Sequence, residues 1–212
     1  MGENRIKLVA ADMDGTLLNR ERKITKYTQN VIKKAMAQGV YFVPATGRAV
    51  NALPPELKEM EGIRYGIFSN GATIYDLKEE KVIYKNHFEM DRVLELMDFL
   101  KQFDLMESIS LNGQSYANKK EMENIDYYEL DSNTKAIVQG SRVLVDDLEM
   151  FVKEQSTTVE KTTLLFKTME ERRRAADALS KIEDIQFSSS LPKNLEISKK
   201  GCNCLLYTSD AA

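Results

Sequence analysis

The sequence predicts an α/β fold, in which an open and largely parallel sheet is followed by a smaller α+β unit. Three short apolar runs near the N-terminus each end in a loop of small and polar residues, and a segment with helical periodicity separates the first two. From about Lys85 the pattern changes to helices mixed with hairpin strands. With 212 residues, 42% of them hydrophobic, the chain can bury the core of one large domain or two small ones.

The first part of the chain, residues 1–84, holds the elements of the predicted parallel sheet. Residues 6–11 form a short apolar run bounded by Asp and Gly, which is typical of a buried strand. Thr25 can cap the helix that follows, and Gly39 can close it. The apolar residues expected on one face of this helix are Tyr27, Val31, Ala35 and Met36. The two further strands are predicted at residues 40–43 and 65–68.

Residues 85–192 are predicted to form a separate α+β unit. The Asn112-Gly113 pair between two alternating segments is typical of a tight hairpin turn. The predicted elements are a helix at 89–103, a hairpin at 108–117, a strand at 162–167 and a helix at 169–181. Residues 193–203 are then expected to return the chain to the first unit.

Composition and charge exclude several classes of function. The 30 basic and 33 acidic residues are interleaved and give a formal charge of −3, so no nucleic-acid partner is expected. No segment approaches the roughly 20 apolar residues of a membrane span, and no membrane partner is expected. The two cysteines, Cys202 and Cys204, lie too close together to form a disulfide framework, which favours a cytoplasmic location.

The most informative segment is the run from Asp12 to Thr16, directly after the first predicted strand. Two carboxylates two residues apart can converge on one cation, and one can then attack phosphorus while the other acts as a general acid. Gly15 permits the tight turn that this requires. An Asp-Gly turn between strands is the alternative. A calcium loop is excluded, because it needs Gly at its sixth position and Glu at its twelfth, where Gly15 is fourth and Lys23 is twelfth.

Two more motifs follow the next two strands. Pro44-Ala45-Thr46-Gly47-Arg48 ends the second, and Ser69-Asn70-Gly71-Ala72 ends the third. Each could be an ordinary turn when taken alone. Since ligands of open α/β sheets gather at the carboxyl ends of strands, three such motifs in succession favour one shared site.

Taken together, DMDGTLL and these two motifs resemble the Cof-type branch of the haloacid dehalogenase superfamily. The resemblance spans about residues 6–203. It implies a Rossmann-like core with an inserted α+β cap of class IIB. It also implies Mg²⁺-dependent hydrolysis of phosphomonoesters through an aspartyl-phosphate, with a small phosphorylated metabolite such as a sugar phosphate as the substrate.

The resemblance also implies roles for individual residues. Asp12 would be the nucleophile and a Mg²⁺ ligand, and Asp14 would be the acid/base that also gives its backbone carbonyl to the metal. Thr46 would bond the transferring phosphoryl group. For Arg48, contact with the substrate phosphate and a solvated surface charge both remain open. The residues expected to bind substrate are Gly15, Thr16, Gly47, Arg48, Asn70 and Gly71.

Other polar residues are expected to have no catalytic role. His87, the only histidine, lacks clustered ligands and is predicted to be an ordinary polar residue. Lys199 and Lys200 are predicted to be solvated charges. The run from Glu170 to Arg174 is expected to be a solvated helix face with pairs inside the helix.

The resemblance stops at Cys204, where the family pattern has a catalytic lysine. Residues 204–212 lack family likeness, and the acidic motif that completes the magnesium site is missing. The sequence therefore predicts a non-native tail, a core that is incomplete at its C-terminus and an inactive chain with an exposed sheet edge; a divergent natural terminus is the alternative. A non-catalytic phosphometabolite-binding module and a phosphomutase are the rival functions. The substrate and the oligomeric state cannot be read from the sequence.

Overall fold

The computed structural model describes residues 6–19 and 21–202, except for the side chain of Asn133. It divides the chain into two compact units, Met1–Lys85 and Asn86–Ala212.

The first unit is built on one sheet of parallel and antiparallel strands. Its elements are β1 (Leu8–Asp12), α1 (Lys26–Ala37), β2 (Tyr41–Ala45), α2 (Pro55–Lys58), β3 (Tyr65–Phe68), β4 (Thr73–Asp76) and β5 (Lys81–Lys85). The strand order is β1-β2-β3-β4-β5, with β1, β2 and β3 parallel and β4 and β5 antiparallel to their neighbours. The parallel strands confirm the α/β prediction, whereas β4 and β5 were not predicted.

The strand β1 differs from its prediction as a buried strand. Among the described strands it pairs only with β2, so it forms an edge of the sheet. Leu8 is 56% exposed and Val9 is 37% exposed, and Ala10 is exposed as well. The prediction was wrong because an apolar run shows only that a strand is able to be buried, while burial depends on which elements cover it.

The helix α1 begins and ends as predicted but buries a different face. The hydroxyl of Thr25 accepts the backbone N–H of Thr28 at 3.1 Å, and Gly39, with φ of 84°, follows the last turn. Tyr27 is 79% exposed, whereas Ile32 is buried in the core. The predicted face was wrong at Tyr27 and at Val31, which is 47% exposed, whereas the predicted Met36 packs against the core.

The register of the three parallel strands aligns their carboxyl ends. Asp12 pairs with Ala45, and Ala45 pairs with Ile67. These pairings place the loops that follow β1, β2 and β3 at the same end of the sheet, where the carboxyl ends of the three strands lie. The core beneath them is formed by Met13, Leu18, Ile24, Ile32, Phe42, Leu53, Leu57, Met60, Ile63 and Phe68.

The second unit is an α+β structure with one mixed sheet. Its elements are α3 (Met90–Leu100), β6 (Leu105–Leu111), β7 (Gln114–Asn118), α4 (Lys119–Glu123), α5 (Ser132–Gly140), β8 (Arg142–Val145), α6 (Leu148–Lys153), β9 (Val159–Phe166), α7 (Met169–Leu179), β10 (Ile185–Ser188) and β11 (Asn194–Lys199). The strand order is β10-β11-β9-β6-β7-β8. The predicted hairpin is confirmed, since Leu111 pairs with Gln114 across Asn112 and Gly113, both at positive φ.

The strand β11 differs from the expectation that residues 193–203 return to the first unit. It lies between β10 and β9 and is antiparallel to both. Leu195 and Ile197 belong to the core of the second unit, and Glu196 forms a buried ion pair with Lys161 at 2.9 Å. The alternating apolar residues of this segment pack in the core of the second unit. The sequence pattern predicts a strand but does not show which of the two sheets the strand joins.

Candidate active site

The loop after β1 turns sharply, and a buried residue, Met13, lies between its two aspartates. Met13 is fully buried, whereas Asp14 is exposed and Asp12 is partly so. The backbone N–H of Leu18 bonds to the carbonyl of Met13 at 2.9 Å, and the N–H of Leu17 bonds to the carbonyl of Asp12 at 3.2 Å. These bonds close the turn through Gly15, whose φ of 80° is readily adopted by glycine.

The carboxylate of Asp12 lies in an environment that disfavours its charge. Burial raises the pKa of Asp12, and the nearby charge of Asp14 raises it further. The backbone N–H of Met13 and the hydroxyl of Thr16 act in the opposite direction, and Thr16 Oγ1 lies 3.5 Å from Asp12 Oδ2. A cation at this position would offset the repulsion between the two carboxylates.

Asp14 is held by Arg48 in a two-pronged ion pair. Arg48 Nε donates to Asp14 Oδ2 at 2.9 Å, and Arg48 Nη2 donates to Asp14 Oδ1 at 2.6 Å. A third guanidinium nitrogen, Nη1, donates to the carbonyl of Ala52 at 3.3 Å. Arg48 is therefore bound to the loop of β1.

Thr46 connects the loops that follow β2 and β3. Its hydroxyl is buried and accepts the backbone N–H of Arg48 at 3.2 Å, and its carbonyl accepts the N–H of Asn70 at 3.2 Å. The N–H of Ser69 also bonds to the carbonyl of Arg48 at 2.9 Å. The two loops thus form one hydrogen-bonded unit, and Gly47 lies within it.

The loop after β3 has an unusual backbone. Ser69, Asn70 and Gly71 all have positive φ, at 51°, 58° and 94°. Ser69 and Asn70 are buried, so the surrounding structure holds them in this conformation. Asn70 tolerates the left-handed region better than most residues, and its presence was the sequence signal for this turn.

The donor set available for a cation consists of oxygen atoms. The carboxylate of Asp12 and the backbone carbonyl of Asp14 are the donors that the family resemblance implies, and oxygen donors are those that Mg²⁺ prefers. Within residues 6–19 and 21–202, no group of three or more His, Cys, Asp and Glu side chains could hold a metal ion. The carboxylate of Asp12 and the carbonyl of Asp14 therefore make up only part of a cation site.

The remaining predicted residues belong to the second unit or lie outside the described residues. His87 Nδ1 lies 2.9 Å from Thr158 Oγ1 within the second unit. Arg174 pairs with Glu171 on α7 at 3.0 Å, which confirms the intrahelical pairing. Cys202 is buried, and its thiol donates to the carbonyl of Asn86 at 3.3 Å. Cys204 and the segment 204–212 lie outside the described residues.

Sequence reasoning missed two features of the site. The first is the direct link between Arg48 and Asp14, which are 34 positions apart in the chain and carry no pairing signal. The second is the burial of Ser69 at positive φ. Neither feature has a local sequence signal. In the motif after β1, the apolar Met13 between the two aspartates is the residue whose type indicates contact with the core.

A family model for haloacid dehalogenase-like hydrolases matches residues 9–204. This chain belongs to the haloacid dehalogenase-like hydrolase family. A solved haloacid dehalogenase-like hydrolase from B. subtilis has the same fold, with a TM-score of 0.78 at 21% identity over 93% of this chain and 75% of that one. A solved HAD subclass IIB sugar phosphatase gives a TM-score of 0.70 at 21% identity, over 93% of this chain and 71% of that one.

Two curated relatives of this haloacid dehalogenase-like chain each match only part of the chain. A relative from Buchnera aphidicola (subsp. Schizaphis graminum) is 38% identical over 56% of this chain and 43% of its own length. The 5-amino-6-(5-phospho-D-ribitylamino)uracil phosphatase YcsE from Bacillus subtilis is 37% identical over 40% of this chain and 36% of its own length. The chain thus spans less than half the length of these curated relatives. No helix among the described residues is long and apolar enough to cross a membrane.

Proposed function

We propose that the protein hydrolyses phosphomonoesters and that Asp12 carries the phosphoryl group as a covalent intermediate. The observation that supports this most directly is the register Asp12–Ala45–Ile67. It brings the two aspartates of the first loop to the same end of the sheet as Thr46 and Asn70. Family membership and relatives named as phosphatases support the same reaction class.

In the proposed reaction, a carboxylate oxygen of Asp12 forms a bond to phosphorus while the ester bond to the leaving alcohol breaks. Asp14 gives its proton to the leaving oxygen. In the second step Asp14 takes a proton from water, the water oxygen bonds to phosphorus, and the bond to Asp12 breaks to release inorganic phosphate. Thr46 and the loop from Ser69 to Gly71 would orient the phosphoryl oxygens.

Magnesium is proposed as the cofactor, held by the carboxylate of Asp12 and the backbone carbonyl of Asp14. When bound, it would neutralise charge on the phosphoryl group and the nearby carboxylates. The raised pKa of Asp12 supports this part of the proposal, because burial and the charge of Asp14 leave that carboxylate in need of a counter-charge.

The proposed substrates are small phosphorylated metabolites such as sugar phosphates, with the second unit, Asn86–Ala212, serving as the cap. One curated relative is named for action on a phosphoribityl compound, and one solved relative is named as a sugar phosphatase.

The proposed nucleophile is tested by the Asp12→Asn variant. In a form of the protein that carries the family's lysine and acidic motif after Asn203, this change keeps the shape of the side chain but removes the attacking charge, so release of phosphate from an aryl phosphate with Mg²⁺ should fall to background. Asp184→Asn is the matched control, because it also neutralises an aspartate and lies in the second unit, where Asp184 pairs with Arg92. Retained turnover in Asp12→Asn would refute the assignment.

A further inference from the structure

Each of the three nitrogens of the Arg48 guanidinium donates a hydrogen bond at the end of the sheet where the proposed phosphate site lies. Two of its nitrogens bind the carboxylate of Asp14 and the third binds the carbonyl of Ala52. The backbone N–H of Arg48 bonds to Thr46 Oγ1. The side chain is therefore fixed at its base by the loop of β2, while its charged end points to the loop of β1.

The geometry of this contact is the same one that guanidinium groups use for phosphate. Two parallel N–H donors match two oxygens of a carboxylate or two oxygens of a phosphate equally well. In Arg48 these donors are occupied by Asp14, so a phosphate group that approached this end of the sheet would compete with that carboxylate for the same two nitrogens.

The pair is open enough for exchange. The side chain of Asp14 is 54% exposed and that of Arg48 is 25% exposed. Solvent screens the charges of a pair that remains in contact with water, while the two-pronged geometry strengthens the contact between Arg48 and Asp14. A phosphate dianion carries more charge than the carboxylate and can compete with it for the guanidinium.

We propose that Arg48 is an exchangeable clamp, which holds Asp14 in the free protein and transfers to the phosphate group of the ligand when that ligand binds. The inference rests on the proposed function only in taking a phosphate ester as the ligand. Asp14 then acts as an internal competitor that lowers phosphate affinity, and it is released from Arg48 when phosphate arrives. Binding of the phosphate ester thereby releases Asp14, the proposed acid/base, from its ion pair with Arg48.

The test uses the full chain, without metal and at one fixed pH, with inorganic phosphate as the probe. The NMR signal of Arg48 Nε–Hε, identified by its absence in Arg48→Gln, should shift during titration with phosphate. Arg48→Gln should weaken phosphate binding by about tenfold or more, the factor expected when a hydrogen bond to a charged group is lost. Asp14→Asn should strengthen phosphate binding, because the competitor is removed.

A double-mutant cycle separates exchange from simple charge removal. If Asp14 competes for Arg48, Asp14→Asn should strengthen phosphate binding much less in the Arg48→Gln background than in the wild type. If Asp14 acts only through its negative charge, the gain should be equal in both backgrounds. Equal gains would overturn the proposal.

A matched control is provided by Arg64, which pairs with Asp76 at 3.0 Å in the same unit. Arg64→Gln removes the same charge from the same kind of ion pair and should leave phosphate binding unchanged. Equal losses in Arg64→Gln and Arg48→Gln would overturn the proposal, as would an unmoved Arg48 signal or an absence of phosphate binding in the wild type.

Two further measurements keep the result interpretable. Thermal unfolding of each variant shows whether it folds. If Arg48→Gln is misfolded, Arg48→Lys replaces it in the test. Lysine keeps the charge but lacks the two parallel N–H donors, so Arg48→Lys should bind phosphate with an affinity between those of the wild type and a variant without the charge. Hydrolysis is measured separately with Mg²⁺. A form of the protein that carries the family's lysine and acidic motif after Asn203, binds phosphate through Arg48 and releases none from esters would refute the proposed function and leave the clamp established.

Discussion

Met13 shows how a single apolar residue positions a polar motif. It lies between Asp12 and Asp14 and is fully buried in the core of the first unit. Because the Met13 side chain is enclosed in the core, the turn leaves Asp14 exposed and Asp12 partly exposed on either side of it in the chain. The core therefore fixes the direction of both aspartates before any ligand binds.

Glu107 on β6 is the residue whose environment gives the clearest pH dependence. Its Oε1 atom is buried and has no hydrogen-bond partner among the described residues. Burial raises the pKa of Glu107 to about 8, and the charges of Glu121 and Glu149 contribute in the same direction. The folded state thus binds this proton more tightly than the unfolded chain does, and stability should decline as pH rises from about 4.5 through 8.

Glu107→Met should remove this decline and raise the free energy of unfolding at pH 8 by about 1–3 kcal/mol, the cost of a buried unsatisfied polar group. Urea unfolding at pH 5 and pH 8 measures it. The same substitution at the exposed Glu170 should change little. A pH dependence that is identical in the wild type and Glu107→Met would contradict the prediction.

At the residue level, sequence reasoning placed the candidate site residues at the ends of strands but did not predict the contacts between them. Asp12, Thr46 and Asn70 follow strands, and the end of a strand can be recognised from local pattern alone. The pairing of Arg48 with Asp14 could not be recognised, because it depends on the register of β1 against β2. Contacts of this kind are set by tertiary packing rather than by local preference.

The elements of the chain were predicted best where a local signal marks their ends. The cap at Thr25, the turn at Asn112-Gly113 and the apolar spacing of α3 are all short-range features, and each is present. The strands β4 and β5 were missed, and β11 was assigned to the other unit. Pairing between strands is a long-range property, so the sheet to which a strand belongs is not encoded in its own sequence.

Two helix caps should contribute similar amounts of stability, each in its own unit. Thr25 Oγ1 accepts the N–H of Thr28 at the start of α1, and Thr168 Oγ1 accepts the N–H of Glu171 at the start of α7, both at 3.1 Å. Thr25→Ala and Thr168→Ala should each lower the free energy of unfolding by about 1 kcal/mol. The serine variants keep the acceptor oxygen and should stay near the wild type in chemical denaturation. Equal losses in the serine and alanine variants would rule out the caps as the cause.

The outer edge of β1 is the element expected to drive self-association. Its apolar residues are exposed and no charge lies between Leu8 and Ala11. The opposite edge strand, β5, carries Lys81 and Lys85 at its two ends, and edge lysines discourage pairing between chains.

Val9→Lys should therefore reduce self-association of the chain, whereas Ile83→Lys on β5 should have little effect. Sedimentation velocity over a range of protein concentrations measures both. The assignment of β1 as the associating edge fails if Ile83→Lys alone makes the chain monomeric.

At the scale of the whole molecule, the two units differ in how much apolar surface they bury. The second unit has two apolar clusters beside a sheet of mixed strands, whereas the first has one cluster and an exposed β1. A unit that leaves apolar strand faces exposed gains less from folding. The fragment 86–202 should therefore have a higher melting temperature than the fragment 1–85, as measured by circular dichroism.

A fragment that lacks 86–192 but keeps β11 is the informative comparison. It would retain Asn194–Lys199 without β9 and β10, the two neighbours of this strand in the sheet. We expect this fragment to be less soluble than 1–85 because it carries an unpaired apolar strand. Equal solubility would show that the residues of β11 find other partners.

The row formed by Asp12, Ala45 and Ile67 also restricts how the length of this chain can change over evolutionary time. A residue gained or lost within β2 would shift Thr46 by one position against Asp12 and would exchange the faces on which Phe42 and Val43 are buried. The turn at residues 21–25 lies outside the strands and has no such restriction. Insertions and deletions among descendants of this gene should therefore occur mainly in that turn, and the number of residues between Gly39 and Thr46 should stay constant.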